Sequence, residues 1–132
     1  MSFLVDTDTC SAQLRNAPGV TARFLQYGGR LHVSVVSLAE LFSWALRASA
    51  PPTRLDGLLA LMDDMAVLDV NSQIARKFGE IQAGLLDIGQ PAPAADLLIA
   101  STALVHGLAV VTHNVQDFAR VPGLTVVDWL TQ

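Results

Sequence analysis

Charge is scarce in this chain: Asp, Glu, Lys and Arg make up 15% of its 132 residues, against about a quarter in an ordinary soluble domain. With 52% hydrophobic residues, it cannot be a disordered, self-repelling polymer. It holds more apolar surface than a domain of this size needs for its own core, which predicts a self-association face or a partner groove. Cysteine is almost absent. Cys10 stands alone, so no internal disulfide can form, and without a paired C-x-x-C there is no zinc spacing. A reducing, cytoplasmic setting is expected, with Cys10 as a small buried hydrophobe. Long hydrophobic runs are missing too. The apolar start Phe3-Leu4-Val5 has no basic lead and runs into Asp6, unlike a signal peptide. The stretch 97–111 is interrupted by Ser101, Thr102, His106 and Gly107 and is too short to span a bilayer. Finally, there is no excess of positive charge. Twelve acids face eight bases, a net charge of −4, which excludes holding nucleic acid by general electrostatics. Any contact with a polyanion must use local arginines or bound cations.

The length suits one domain spanning residues 1–132, with a single core. Short apolar runs alternate with helical periodicity. Strands are expected over 2–6, 31–36, 66–70, 108–112 and 124–127. The first strand leads to a helix broken in two by Pro18-Gly19 and stopped at Gly28-Gly29. Ser37 is expected to start a helix reaching about Ser49, which Pro51-Pro52 ends. A further helix covers 53–65. Asn71 caps a long helix closed by Gly89, and Pro91 and Pro93 lead into one ending near Gly107. Strands alternating with helices predict an α/β fold, with a mainly parallel five-stranded sheet covered on both faces. No repeat, linker or low-complexity segment is present.

Four carboxylates are placed where this architecture makes them informative: Asp6, Glu40, Asp96 and Asp117. Each has a local explanation. Asp6 suits an Asx turn or helix cap, and Glu40 lies three residues after Ser37, as in an S-x-x-E capping box. Asp96 complements the dipole of a first helical turn, and Asp117 follows Asn114 at cap-like spacing. Asp8 suits a solvated or capping role and is a secondary site candidate. Their joint position is less ordinary, because in an open parallel sheet the carboxyl ends of the strands share one rim where ligands bind. Clustered carboxylates raise one another's pKa unless a cation neutralises them. Oxygen donors without His or Cys favour Mg²⁺ or Mn²⁺ over zinc.

The stretches FLVDTDT, SLAEL, DLLIASTAL after G-Q-P, and VTHNVQDFARVPGLTVVDW resemble a PIN-domain ribonuclease of the VapC toxin type over nearly the full length. DLLIASTAL and the T-x-N-x-x-D-F segment with its R-V-P-G-L tail are the most specific; D-T-D alone is weak. The resemblance implies a three-layer α/β/α sandwich, metal-dependent endonucleolytic cleavage of RNA, with tRNA and rRNA both open as substrates, dimerisation, and a cognate VapB-type antitoxin. It implies that Asp6, Glu40, Asp96 and Asp117 form the acidic metal-binding set, that Thr112 and Asn114 brace it, and that Thr7 lends a contact. A bound metal would activate water for attack on the phosphodiester, leaving a 5′-phosphate and a 3′-hydroxyl. The chain departs from the usual pattern at Ala92 and in the run Pro91-Ala-Pro-Ala-Ala before Asp96, which bears on substrate preference more than on activity.

Two other classes remain open at this stage. Asp6-Thr7-Asp8 imitates the Asp-x-Asp of a haloacid-dehalogenase-like phosphatase, but the sole lysine, Lys77, falls inside a helix. A PIN-like or receiver-like acidic pocket that binds without cutting is the alternative from the binding class. Elsewhere, His113 stands beside the bracing residues, and Arg15, Arg23, Arg76, Lys77 and Arg120 are ordinary solvated charges or phosphate contacts. His32 and His106 offer less. No H-E-x-x-H, Ser-His-Asp set or G-x-x-x-x-G-K loop is present. Trp44 is out of phase with the stripe of Leu41, Ala45 and Leu46 and is expected on an exposed apolar surface fit for an amphipathic partner segment. Trp129 is expected to anchor the end of the chain against the sheet.

Overall fold

The computed structural model describes residues 1–131. Five short strands form its centre: β1 (Phe3–Val5), β2 (Leu31–Ser34), β3 (Ala66–Leu68), β4 (Ala109–Val111) and β5 (Val126–Val127). They lie in the order β3-β2-β1-β4-β5, and every adjacent pair is parallel. β1 and β4 are buried on both faces, which is why they appear as unbroken apolar runs rather than as an alternation.

Successive side chains still point to opposite faces and divide the interior into two cores. Phe3, Val5, Val33, Ala109 and Val111 pack with α1 (Thr7–Leu14), α2 (Pro18–Gln26), α3 (Val35–Ala45) and α4 (Pro52–Asp63). Leu4 and Val110 pack on the other face with α5 (Ser72–Asp87), α6 (Ala94–His106) and α7 (Val115–Phe118). The result is the three-layer sandwich. Each fully buried Leu, Ile, Val or Phe contributes about 1.5–3 kcal/mol, so these two clusters carry the fold.

The connections locate the site. From β1 the chain moves outward to β2 and β3 through helices on the first face, then returns through α5 and α6 to enter β4 on the far side of β1. The direction of winding therefore reverses between β1 and β4, and the carboxyl ends of these neighbours border the crevice where such sheets take ligands.

Several local boundaries differ from the sequence expectation. The segment after β1 is in two helical pieces as expected, but Pro18 does not lie between them: it occupies the first turn of α2, where its missing N–H costs nothing. The helix after β2 begins at Val35, not Ser37. Ser34 is its N-cap, and the Ser34 hydroxyl accepts from Val36 N–H at 3.0 Å. Ser37 is thus the third helical residue, and the proposed Ser37/Glu40 capping box does not exist. The Ser37 hydroxyl is buried, and no hydrogen-bond partner for it is found among the described residues. This helix ends at Ala45, earlier than the expected Ser49. Asn71 does cap α5, accepting from Ile74 N–H at 2.9 Å, and Gly107 closes α6 in the left-handed conformation at φ 66°.

Candidate active site

At the end of β1 the Asp6 N–H donates to the Val111 carbonyl at 2.8 Å, one step past the last paired strand residues. Asp6 then turns the chain into α1 as its N-cap, Oδ1 accepting from Thr7 N–H at 2.7 Å. Capping occupies one oxygen only. Oδ2 accepts from the Thr112 hydroxyl at 2.8 Å, a contact joining residues 106 positions apart. Thr112 is fully buried, and its own N–H donates to the Val127 carbonyl. Asp6 is only 6% exposed, an unusual depth for a carboxylate whose nearest partners are hydroxyl and amide groups.

The other acids face the same rim. Glu40 lies on α3, well past its first turn, and accepts from the Thr7 hydroxyl at 2.7 Å. Losing the capping box removes the local explanation for this residue. Asp96 sits in the first turn of α6 and Asp117 in α7. Asn114 links them: its side-chain amide donates to Asp117 Oδ2 at 2.9 Å and to Asp96 Oδ2 at 3.4 Å. The Asn114 backbone N–H donates to the Thr112 hydroxyl at 3.0 Å. Asn114 is thus at the N-cap position of α7 without making a side-chain cap, because its amide is turned to the carboxylates instead.

Electrostatics bind the group together. The Asp6 carboxyl is pushed up to about 7, first by burial and then by the charge of Asp8, with a smaller push from Asp96. The Thr112 and Thr7 hydrogen bonds oppose this without cancelling it. Asp96 is also raised, by burial, then by Asp117, Glu40 and Asp8, while Arg120 pulls the other way. Asp117 is lowered by its hydrogen bonds from Asn114 and Arg120. Asp96 therefore senses three other acids carried by three other elements.

Whether these residues suit a divalent cation is a question of donor chemistry. Among the described residues, no three Asp, Glu, His or Cys side chains converge as a finished ligand set; the carboxylates are bridged by hydroxyl and amide donors. The set nevertheless offers hard oxygen atoms only, and Asp6 and Asp96 are both raised by burial and by neighbouring like charge. Those are the conditions that a magnesium-like cation relieves, and in that sense the residues fit it.

Two contributors carried little weight in the sequence. Asp8 Oδ2 accepts from His113 N–H at 3.1 Å, with the Thr112 hydroxyl at 3.4 Å, so Asp8 belongs to the rim and raises Asp6. The D-T-D spacing was its only signal. Arg120 donates through Nη2 to Asp117 Oδ1 at 2.5 Å and through Nη1 to the Pro91 carbonyl at 2.9 Å. Arg120 lies just past α7, three residues from Asp117, and nothing in the sequence revealed the Pro91 contact. The His113 ring leans on Asp128 at 3.1 Å, away from the carboxylates linked above. Lys77 pairs with Glu80 on α5, which leaves the phosphatase reading without its lysine. Cys10 is fully buried, and burial pushes its thiol up, as an inert core residue requires. A cavity of about 350 Å³ over α5 and α6 includes Arg120 in its wall but none of the rim carboxylates.

A parallel α/β/α sandwich with an acidic rim at its switch point defines a class, and comparison with known proteins supplies the family. The PIN-domain family model matches residues 3–124. The tRNA(fMet)-specific endonuclease VapC of Salmonella typhimurium is 35% identical over 130 residues, covering 98% of each chain. Among solved structures, the DNA-bound VapBC of Salmonella typhimurium superposes with a TM-score of 0.92 at 35% identity, covering 98% of each chain. VapBC-1 of nontypeable Haemophilus influenzae gives 0.87 at 28% identity over the whole of both chains. The chain belongs to the PIN-domain family and, within it, to the VapC group.

Proposed function

We propose that this protein is an endoribonuclease, the toxin of a toxin–antitoxin pair, and that Asp6, Glu40, Asp96 and Asp117 hold Mg²⁺ or Mn²⁺ at its active site. The observation that carries the proposal is the hydrogen-bonded chain at the crevice between β1 and β4, in which Thr112 and Asn114 join Asp6, Asp96 and Asp117. A divalent cation there supplies charge neutralisation at the scissile phosphate and a more acidic water.

The chain's own residues supply placement. Asp6 and Asp96 are the principal ligands, and Glu40 and Asp117 bind directly or through water. The Thr112 hydroxyl fixes Asp6, the Asn114 amide fixes Asp117 and Asp96, and the Thr7 hydroxyl fixes Glu40. Burial raises the Asp6 carboxyl most, and the charge of Asp8 adds to it, a push that a bound cation would relieve. With eight basic residues against twelve acids, the grip on RNA comes from the cation and from local arginines rather than from a basic face. The VapC relative named above acts on tRNA(fMet), so tRNA is the first substrate to offer, with rRNA the second.

The neighbours solved as VapBC complexes support a VapB-type antitoxin as partner. The apolar outlet expected from composition is sought on α3 and α4, where Trp44 is 39% exposed with Arg54 stacked over the indole at 4.8 Å and Leu46 and Leu59 are also exposed. An amphipathic antitoxin segment on this face, a homodimer and a cytoplasmic location complete the proposal. Among the described residues, no helix is long and apolar enough to cross a membrane.

The test is to purify the protein free of any co-expressed partner and map cleavage ends across total RNA with Mg²⁺ or Mn²⁺. Asp6→Ala serves as control. Discrete new 5′ ends with the wild-type protein alone support the assignment; identical fragments from both would falsify it.

A further inference from the structure

We infer that Arg120 is a positioning residue for this site: by bonding Asp117 and the Pro91 carbonyl at once, it ties α7 to the loop entering α6 and so fixes Asp117 relative to Asp96. The inference rests on the nuclease reading and extends it to a residue outside the acidic set.

The buried faces of both elements are held in the core through Leu97, Ile99 and Phe118, but the first turns that carry the two acids are not fixed by side-chain caps. α7 is four residues long and has no side-chain cap, and a helix that short has no stability of its own. α6 begins after Pro93, again without a side-chain cap. What joins them is a closed circuit. Arg120 Nη2 meets Asp117 Oδ1, Asn114 bridges Asp117 to Asp96, Asp96 lies in the first turn of α6, and Pro91, just before that turn, returns to Arg120 Nη1.

A guanidinium suits this role because its planar fork presents two directed donors at once, whereas an ammonium is a single point charge. The site also explains why the run from Pro91 to Pro93 is tolerated so close to a ligand candidate. Pro91 cannot donate through its nitrogen, but its carbonyl is free to accept, and that is the group Arg120 uses. The positive charge acts on the acids as well, opposing the upward push on Asp96. The competing role, direct contact with an RNA phosphate, would use the same partly exposed side chain.

The test is a double-mutant cycle on the full chain with wild type, Arg120→Ala, Asp117→Asn and the double variant, plus Arg120→Lys. Each is read for Mn²⁺ affinity and for RNA cleavage as separate kcat and KM. Arg120→Ala is expected to lower Mn²⁺ affinity and kcat by about 10–100-fold, as loss of a ligand-orienting partner does, with KM changed less than about threefold. In the Asp117→Asn background the same substitution should add almost nothing, because the group it acts through is already altered. Arg120→Lys should recover less than half of the loss on a logarithmic scale. If turnover of Asp117→Asn is too low to measure, the Mn²⁺ cycle decides.

Losses that multiply across the two positions would overturn the inference. So would a rise in KM with a shallower salt dependence and unchanged kcat, which is the signature of a phosphate contact. If Arg120→Ala does not fold by circular dichroism, Arg120→Gln, which keeps one donor and the side-chain bulk, replaces it in the same cycle. Wild type that binds Mn²⁺ and responds to Arg120 yet leaves RNA intact would remove the nuclease reading and keep the positioning role. Active wild type that is indifferent to Arg120 would do the reverse.

Discussion

Phe3 and Asp6 bracket one three-residue strand, and the surroundings of the two could hardly differ more. Phe3 enters an aromatic cluster, 4.7 Å from Tyr27 and 5.2 Å from Trp129, with Phe24 and Tyr27 also against the Trp129 ring. The rings there are close-packed and mutually favourable, with the Arg30 guanidinium over the Tyr27 ring at 5.0 Å. Asp6 enters a cluster in which burial and neighbouring charge both oppose its ionised form. One end of β1 contributes stability, and the other consumes it to concentrate negative charge. Substitutions at the two ends should therefore move stability and activity in opposite directions.

The largest effect is expected from Asp6→Asn. Asparagine keeps the helix cap and the shape but removes the charge, so single-turnover RNA cleavage should fall about a thousandfold, or about 4 kcal/mol of transition-state stabilisation. The metal-free variant should unfold at a higher temperature than wild type at pH 8. A variant both inactive and less stable at that pH would break the contrast between the two ends. Trp129→Ala tests the opposite end. Trp129 is 3% exposed in the middle of the aromatic cluster, and removing it should cost about 3–5 kcal/mol in urea unfolding. Cleavage per folded molecule should stay near wild type.

The pH dependence of the metal-free protein sharpens the same contrast. Because burial lifts the Asp6 carboxyl from its ordinary 3.8 to about 7 in the folded chain, folding binds a proton there. Its favourable contribution is complete below pH 4 and is lost as pH rises through 7, a change on the order of a few kcal/mol. Thermal unfolding without metal should therefore show stability falling from pH 5 to pH 8 in wild type and a flatter profile in Asp6→Asn. The smallest effect belongs to a place remote from both ends: Asn71→Ala should remove the α5 cap and cost about 1 kcal/mol in urea unfolding, with cleavage unchanged.

The centre of the sheet was legible in the sequence because β1 and β4 are unbroken apolar runs, each ended by polar residues. The acids were legible because Asp6 directly follows a strand and Asp96 opens a helix. Glu40 was singled out by its place after the second strand and by the family resemblance, and the structure removes only the capping explanation weighed against that role. Ser34 and Ser37 are equally plausible N-caps by composition, and only the β2–β3 register, which pairs Ser34 with Leu68, keeps Ser34 in the strand and starts the helix immediately after it. Pro18 was ambiguous in the same way, since proline both breaks helices and begins them. Asp8 and Arg120 act through contacts to His113 and Pro91, long-range backbone partners that no periodicity encodes.

The central claim is that these carboxylates form one cation site, and direct Mn²⁺ binding to wild type and to Asp96→Asn at pH 8 and pH 6 tests it most closely. Saturable binding by wild type at pH 8, weaker at pH 6 as Asp6 takes up its proton, and weakened at least about tenfold by Asp96→Asn is the predicted result. Equal Mn²⁺ binding by both proteins, or none by wild type at pH 8, would contradict it.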